Sequence, residues 1–495
     1  MSAAPQALRE ALVALLPRLR RFARALARDV HDADDLVQIA AERALTRSGQ
    51  LRPDAPLSSW MFGIVRNAWL DELRARGRRA RVFAPEESAE RVGDASQGGH
   101  AEALAGETDP RRLRELRALR IRELLRRHRD VLEADPHGAA VVRGEVLALS
   151  PSATTLEAAA AAGFTVLREQ PLGDLGARLV VLRVPGKTAR ALARLKALDP
   201  AGIYDFNHVY TDSGAALAAG TGAVPPATPG GAPHADGGER SATRIGLIDS
   251  GVDVTHEVFN GITIQQHGCG TAVPAEHGTA VASLMVGRAS TFHGAAPGSA
   301  LYAADVFCGR PTGGAVDAVA EAFGWLAREH VPVINVSLVG PPNTMLAAIV
   351  QDVLSRGYLI VAAVGNDGPA APPLYPAAWP GVIGVTAVDA RQRVLVEAGR
   401  GPQVKFAAPG ADMAAASPQQ AYVLVRGTSF ASPIVAGLLA LELEAPDGAA
   451  AKRAVAALAA RALHPGAPGL DPVYGYGLVG AELRQQPALA RVRPD

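Results

Sequence analysis

Six apolar residues in succession, Leu359-Ile360-Val361-Ala362-Ala363-Val364, run straight into Gly365-Asn366. A run this short, with no polar break, reads as a strand buried on both faces, the kind found in parallel sheets covered by helices. Residues 243–485 keep the same rhythm. Strands are expected at 244–248, 301–306, 333–338, 359–364 and 381–385, and helices at 276–286, 315–328 and 344–356. Strands alternating with helices imply an α/β domain with a mainly parallel sheet. In that architecture functional side chains gather where strand C-terminal ends meet helix N-termini.

Four residues fall at such ends. Asp249 follows the first strand in Asp249-Ser250-Gly251, and His277 opens a helix in Glu276-His277-Gly278-Thr279. Asn366 follows the apolar strand, and Ser429 stands in Gly427-Thr428-Ser429-Phe430-Ala431-Ser432-Pro433, ahead of the apolar run 434–441. Each alone has a plainer reading: a turn Asp, a capping or packing His, a turn Asn, an N-cap Ser. All four on one sheet edge argue for a site. His256, His267 and His293 lack this strand-or-helix context. A neutral serine hydroxyl is a weak nucleophile and needs a base to take its proton. Histidine does this near neutral pH. A carboxylate fixes the imidazole tautomer and stabilises the imidazolium, and a side-chain amide can donate to a developing oxyanion.

The order Asp249, His277, Ser429, with the motifs Asp-Ser-Gly, His-Gly-Thr, Gly-Asn and Gly-Thr-Ser-Phe-Ala-Ser-Pro, resembles the subtilases, or subtilisin-like serine peptidases, over about 243–485. The resemblance implies a triad of Asp249, His277 and Ser429, with Asn366 in the oxyanion hole. It implies that Ser337, Leu338 and Gly340 pair with a peptide substrate as an added strand. Ala363, Val364 and Gly365 would line the pocket for the side chain before the cut. Val339 stands where many members have Gly, which would narrow that pocket. No calcium loop of clustered Asp residues is visible, and no cofactor or metal is expected. Cys269 and Cys308 fit no metal spacing, and a single disulfide and two buried thiols are equally open readings.

Upstream, residues 141–149, 164–167, 178–184 and 203–210 read as strands, and 152–162 and 188–198 as helices. That order, β-α-β-β-α-β, is a ferredoxin-like unit. The subtilase resemblance implies that this unit is a propeptide, an intramolecular inhibitor whose tail, about 206–211, blocks the cleft. Residues 211–242, with the Pro- and Gly-rich segment 223–231, read as a flexible linker, and self-cleavage is expected between about 205 and 243.

The N-terminal part is different. The first 81 residues hold 15 Arg against 9 Asp or Glu, and amphipathic helices are expected at 8–29, 31–47 and 57–79. Aromatics beside arginines suit unpaired nucleic acid; the plainer reading is a helical domain with a solvated basic end. Asp32-Ala33-Asp34-Asp35-Leu36-Val37-Gln38, then Ser59-Trp60-Met61-Phe62-Gly63-Ile64-Val65-Arg66-Asn67 and Asp71-Glu72-Leu73-Arg74, resemble region 2 of extracytoplasmic-function sigma factors. The resemblance implies contact with RNA polymerase core through Asp34, Asp35 and Gln38. It implies capture of promoter DNA through Trp60, Arg66, Asn67 and Arg74. Ile39 replaces an acidic residue common in that family, and the upstream-reading helix-turn-helix has no counterpart here.

The expected organisation is multidomain: an all-α module at 8–82, a linker and helix (113–133) within 83–140, the ferredoxin-like propeptide at 141–210, a linker at 211–242 and the subtilisin-like α/β domain at 243–485. The expected function is a self-processing serine endopeptidase acting on polypeptides. The alternative is a transcription initiation factor regulated by its own peptidase domain. A dead peptidase used for binding is disfavoured, because no catalytic position is substituted. No signal peptide and no run of ~18 apolar residues is found, so no membrane span is expected. A cytoplasmic location is expected, with export of the peptidase part as the alternative.

Overall fold

The computed structural model describes residues 110–212, 214–217, 243–465 and 469–486, with seven isolated positions between 15 and 61. The chain divides into two compact units, 1–95 and 96–495. In the first, Leu15, Leu16, Leu19, Val37, Ala40, Ala44 and Met61 are helical, and the last five of these are buried. Asp34, Asp35, Gln38, Trp60, Arg66, Asn67 and Arg74 lie outside the described residues.

Among the described residues the second unit opens with helix α1 (Pro110–Arg127) and strand β1 (Leu132–Ala134). The expected helix over 113–133 is therefore too long. Its leucine periodicity stops at Leu125, and Leu132–Ala134 instead pair antiparallel with Ala140–Val142. Next come β2 (Ala140–Leu149), α2 (Ala153–Ala161), β3 (Thr165–Pro171), β4 (Arg178–Arg183), α3 (Thr188–Leu198) and β5 (Ile203–Asp212). The strands lie in the order β5-β2-β4-β3, all antiparallel. Alternate side chains point to opposite faces. Val146, Ala148, Val180 and Leu182 meet Ala159, Leu192 and Leu195 of the helices. Leu147, Leu179 and Val181 on the other face join a core that contains Phe323, Trp325 and Leu346 of the α/β part.

A short strand, β6 (Gly214–Leu217), follows, then β7 (Arg244–Asp249), β8 (Ile264–His267) and helix α4 (Glu276–Val286). A hairpin of β9 (Arg288–Ala289) and β10 (Phe292–His293) leads to β11 (Ala300–Asp305), β12 (Gly314–Ala315) and α5 (Val316–Arg328). The chain continues through β13 (Val333–Val336), β14 (Leu338–Val339), α6 (Thr344–Ser355), β15 (Leu359–Ala363), β16 (Ile383–Val388) and β17 (Val404–Pro409). It closes with β18 (Ala411–Ser417), β19 (Ala421–Gly427), α7 (Thr428–Ala440) and α8 (Gly448–Arg461). Strands β17-β16-β15-β13-β7-β11-β8 form one seven-stranded sheet whose pairings are all parallel. The strand order turns at β7, with β11 on one side and β13 on the other. Such a switch opens a crevice beyond the strand C-termini.

Two details depart from the expected layout. Residues 333–338 do not form one strand: the backbone leaves the central sheet at Ser337, and Leu338–Val339 pair elsewhere. Residues 211–212 and 214–217 are not linker either. Thr211 and Asp212 extend β5, and Gly214–Leu217 pair with Leu424–Gly427 of β19. Gly-Ala-Ala-Leu has little strand propensity of its own; main-chain hydrogen bonds to β19 supply the order. Cys269 and Cys308 form a disulfide. Among the described residues no helix is long and apolar enough to cross a membrane.

Strand β5 also fastens the two sheets. The Asp205 carboxylate accepts the Thr344 N–H at 2.6 Å, at the positive end of α6. Asn207 bonds Asp317 in the first turn of α5, and Asn343 donates to the Phe206 carbonyl at 2.9 Å. Phe406 on β17 is fully buried in the core shared with α7. Phe406→Ala is expected to lower unfolding stability by about 3–5 kcal/mol. Urea denaturation checks this, and a loss below about 1 kcal/mol would mean that the site collapses around the gap.

Candidate active site

Asp249 ends the central strand β7 with no solvent exposure. Its Oδ1 accepts the Ser250 N–H at 2.6 Å and lies 2.8 Å from His277 Nδ1. His277 is the second residue of α4, where no side chain caps the helix. The helix start is pressed against the end of β7: Gly278 donates its N–H to Ser250 Oγ at 3.0 Å, and a Cβ on Gly278 would stand 2.1 Å from the Ser250 carbonyl oxygen. Only glycine permits that approach, which carries the imidazole to the carboxylate. Phe430 packs against the imidazole with ring centroids 5.3 Å apart.

Ser429 is the second residue of α7, which is buried along nearly all its length. The chain enters this helix through Gly427 at φ 142°, a conformation that side chains disfavour. Ser429 Oγ donates to the Ser337 carbonyl at 3.2 Å. His277 Nε2 has no hydrogen-bond partner among the described residues. In return, Ser337 Oγ donates to the Ser429 carbonyl at 3.0 Å, and Asn335 Nδ2 donates to Ser337 Oγ at 2.9 Å. Asn366 Oδ1 accepts the Thr428 N–H at 3.1 Å, which leaves the Asn366 amide to act as a donor. Thr428 Oγ1 accepts the Gly365 N–H at 3.1 Å. These two bonds tie the end of β15 to the start of α7.

The crevice is filled by the chain itself. The end of β5 lies between two short strands: Val209 and Tyr210 pair with Ala315 and Gly314 of β12, and Thr211 and Asp212 pair with Val339 and Leu338 of β14. Tyr210 is buried and donates its hydroxyl to the Pro341 carbonyl at 2.7 Å. Gly214 pairs with Gly427, two residues before Ser429.

Of the expected pairing residues, Leu338 meets the added strand. Ser337 turns its hydroxyl inward to α7, and Gly340 exchanges backbone hydrogen bonds with Tyr375 at 3.0 and 3.1 Å. Val339, which was not among the expected pairing residues, pairs with Thr211 of β5. Ala363, Val364 and Gly365 lie at the end of β15, and a Cβ at Gly365 would stand 2.4 Å from Leu374 Cδ1 and 3.6 Å from Val339 Cγ1. The sequence reading missed the second edge, Gly314–Ala315, and Thr428, the partner of both Asn366 and Gly365. It also missed the buried pair of Arg426 Nε and Glu397 Oε1 at 2.7 Å, which holds β19. Gly313-Gly314 and the Thr before Ser429 were the available signals.

Electrostatics follow from burial. Burial alone would push the His277 pKa down, but the charge and hydrogen bond of Asp249 outweigh it, with Asp212 and Glu276 adding, and the pKa rises to about 9. Burial pushes the Asp367 carboxyl up, opposed by Arg117 and Arg120. Chemically, the arrangement offers a hydroxyl at a helix start, an imidazole held in one tautomer by a buried carboxylate, and amide donors close by.

The Subtilase family model matches residues 240–477, and the Sigma-70 region 2 model matches residues 12–79. The chain is similar to subtilisin from Bacillus pumilus, at 32% identity over 225 residues, 42% of this chain and 80% of that protein. It is similar to subtilisin DY from Bacillus licheniformis, at 30% identity over 262 residues, 51% of this chain and 94% of that protein. Among solved structures, fervidolysin from Fervidobacterium pennivorans, a keratinolytic enzyme related to subtilisin, matches with a TM-score of 0.55 at 21% identity. That match covers 69% of this chain and 61% of the other, and is a likeness of fold alone.

A raised histidine pKa means that the folded chain favours imidazolium. Its contribution to stability is complete below the ordinary histidine value of 6.5 and is lost as pH rises through about 9. In the full chain carrying Ser429→Ala, replacing Asp212 with Asn is expected to lower the His277 pKa, read by NMR titration of the imidazole. An unchanged titration would mean that the Asp212 charge does not reach the ring.

Proposed function

This chain belongs to the subtilase family and is a subtilisin-like serine peptidase; from that premise we propose that Asp249, His277 and Ser429 are its catalytic triad and that it is made as a zymogen which cuts itself between Asp212 and Gly214. The observation that carries this reading is the path of residues 209–212 and 214–217. They run as an added strand between β12 and β14 and continue on β19, so the chain is held across the start of α7 as a substrate would be.

The chemistry follows the geometry. Ser429 Oγ attacks the carbonyl carbon of the bond to be cut while His277 Nε2 takes its proton, a step open only to the neutral imidazole, whose share grows as pH rises toward about 9. Asp249 keeps the Nδ1–H tautomer and stabilises the imidazolium. Asn366, with Oδ1 bonded to the Thr428 N–H, offers its amide hydrogens to the oxyanion. His277 returns the proton to the leaving amine, and water then hydrolyses the acyl-enzyme.

The antiparallel order β5-β2-β4-β3, with α2 and α3 on one face, supports a ferredoxin-like propeptide that ends in the cleft. It would act first as a folding surface and then as an intramolecular inhibitor. The Sigma-70 region 2 match at 12–79 supports a second role for the N-terminal part. We infer contact with RNA polymerase core through Asp34, Asp35 and Gln38, and with promoter DNA through Trp60, Arg66, Asn67 and Arg74. Self-cleavage would separate that module from the peptidase.

Intact-mass measurement over time tests the zymogen reading. The wild-type chain is expected to yield two pieces divided between Asp212 and Gly214, and Ser429→Ala to stay whole. Asn366→Ala is expected to slow the cut roughly 100- to 1,000-fold, a magnitude that itself comes from a subtilisin. A wild-type chain that stays whole, or a Ser429→Ala chain that breaks equally, overturns the reading. For the N-terminal role, residues 1–212 released by the cut should bind polymerase core in a pull-down, and Asp35→Arg should abolish that binding.

A further inference from the structure

Helix α1 lies outside the β-α-β-β-α-β unit, yet it reaches the cleft. Arg117 and Arg120 stand three positions apart and so share one face of the helix. Arg120 Nη2 meets Asp212 Oδ1 at 3.1 Å, and Arg117 Nε meets Asp367 Oδ2 at 3.0 Å. The two carboxylates belong to different parts of the site. Asp212 ends the strand held between β12 and β14; Asp367 directly follows Asn366. Both pairs are partly buried, with side-chain exposures of 26% and 15% for Arg117 and Asp367, and of 37% and 27% for Arg120 and Asp212. That sets them apart from exposed surface pairs, which contribute little. One turn further on, Leu124 and Leu125 pack against Leu132, Ala140 and Val209, so the helix is seated on β1, β2 and β5 at the same time.

We propose that α1 is a strap across the cleft, in which Arg120 and Arg117 are positioning residues that hold the Asp212 end of the tail beside Asn366. The proposal rests on the zymogen reading. On this view the inhibitor includes α1, ahead of the β-α-β-β-α-β unit. The same arginines keep the new C-terminal end in place after the cut, because Asp212 stays on the inhibitor side of the broken bond. Losing α1 would also strip Asp367 of its cation beside the oxyanion donor, and a buried carboxylate without a partner is unfavourable. Burial already pushes the Asp367 pKa upward against the pull of Arg117 and Arg120. Release of the inhibitor and unpairing of the cleft carboxylate are therefore one event.

Hydrogen exchange read by mass spectrometry on the full chain carrying Ser429→Ala tests the strap without relying on catalysis. Adding Arg117→Ala and Arg120→Ala should speed exchange in residues 205–217 roughly tenfold, while β4 stays unchanged. Combining Arg120→Asp with Asp212→Arg should restore protection to residues 205–217, a result that helix packing alone would not give. Unchanged exchange in the tail overturns the strap. So does a loss spread equally over β4 and the tail, or a reversed pair that rescues nothing. Wild-type intact mass decides the zymogen reading separately. Tail protection that depends on the arginines, in a chain that never cuts itself, would keep the strap and sink self-processing. A chain that cuts itself with a tail indifferent to the arginines would do the reverse.

Discussion

A carboxylate with no exposure to solvent, at the end of the central strand of a parallel sheet, must find hydrogen bonds within the protein. Asp249 finds them through Oδ1 alone, in the Ser250 N–H and hydroxyl and in His277, while Oδ2 has no partner among the described residues. Much of the site follows from satisfying it. The start of α4 must come close enough for its second residue to reach the carboxylate, which is why glycine follows His277. The ring is held in one orientation, with Nδ1 toward Asp249 and Nε2 toward the crevice. The charge that fixes the ring also raises its pKa, so orientation and basicity have the same origin.

The second organising interaction is main-chain pairing. β12 and β14 are two residues each, too short to be stable strands alone. They gain partners when the end of β5 lies between them. The small sheet is therefore joined to the large one in three ways: by backbone ladders at the cleft, by apolar packing of Leu147 and Val181 toward Phe323 and Trp325, and by Asp205 and Asn207 at the N-termini of α6 and α5. A ladder carries no sequence preference of its own, so any extended segment can take the same place. This is the physical sense in which a tail can stand in for a substrate.

Much of this was legible before the structure. The apolar run 359–364 and its neighbours announced a parallel sheet, and short motifs at strand and helix ends pointed to Asp249, His277, Asn366 and Ser429. The motifs were readable because each sits at a sharp local feature: a strand end, a helix start, a glycine with unusual backbone angles. The rest was hidden for equally physical reasons. Gly214–Leu217 and Gly314–Ala315 are strands only because another chain segment pairs with them. Residues 333–338 looked like one strand, since nothing local marks the point at which the backbone leaves the sheet. Arg117 and Arg120 looked like ordinary solvated charges on an arginine-rich helix, because their partners are 250 and 92 residues away.

By itself the sequence determined the class of fold, the family and the chemistry on offer, because periodicity, turn residues and short motifs act over a few neighbouring positions. Only the tertiary structure decided what fills the crevice, which backbone edges receive the tail, which way Ser429 points at rest and what α1 grips. Those outcomes depend on contacts between segments far apart in the chain. Backbone pairing and ion pairs of that kind leave no periodic trace in the sequence.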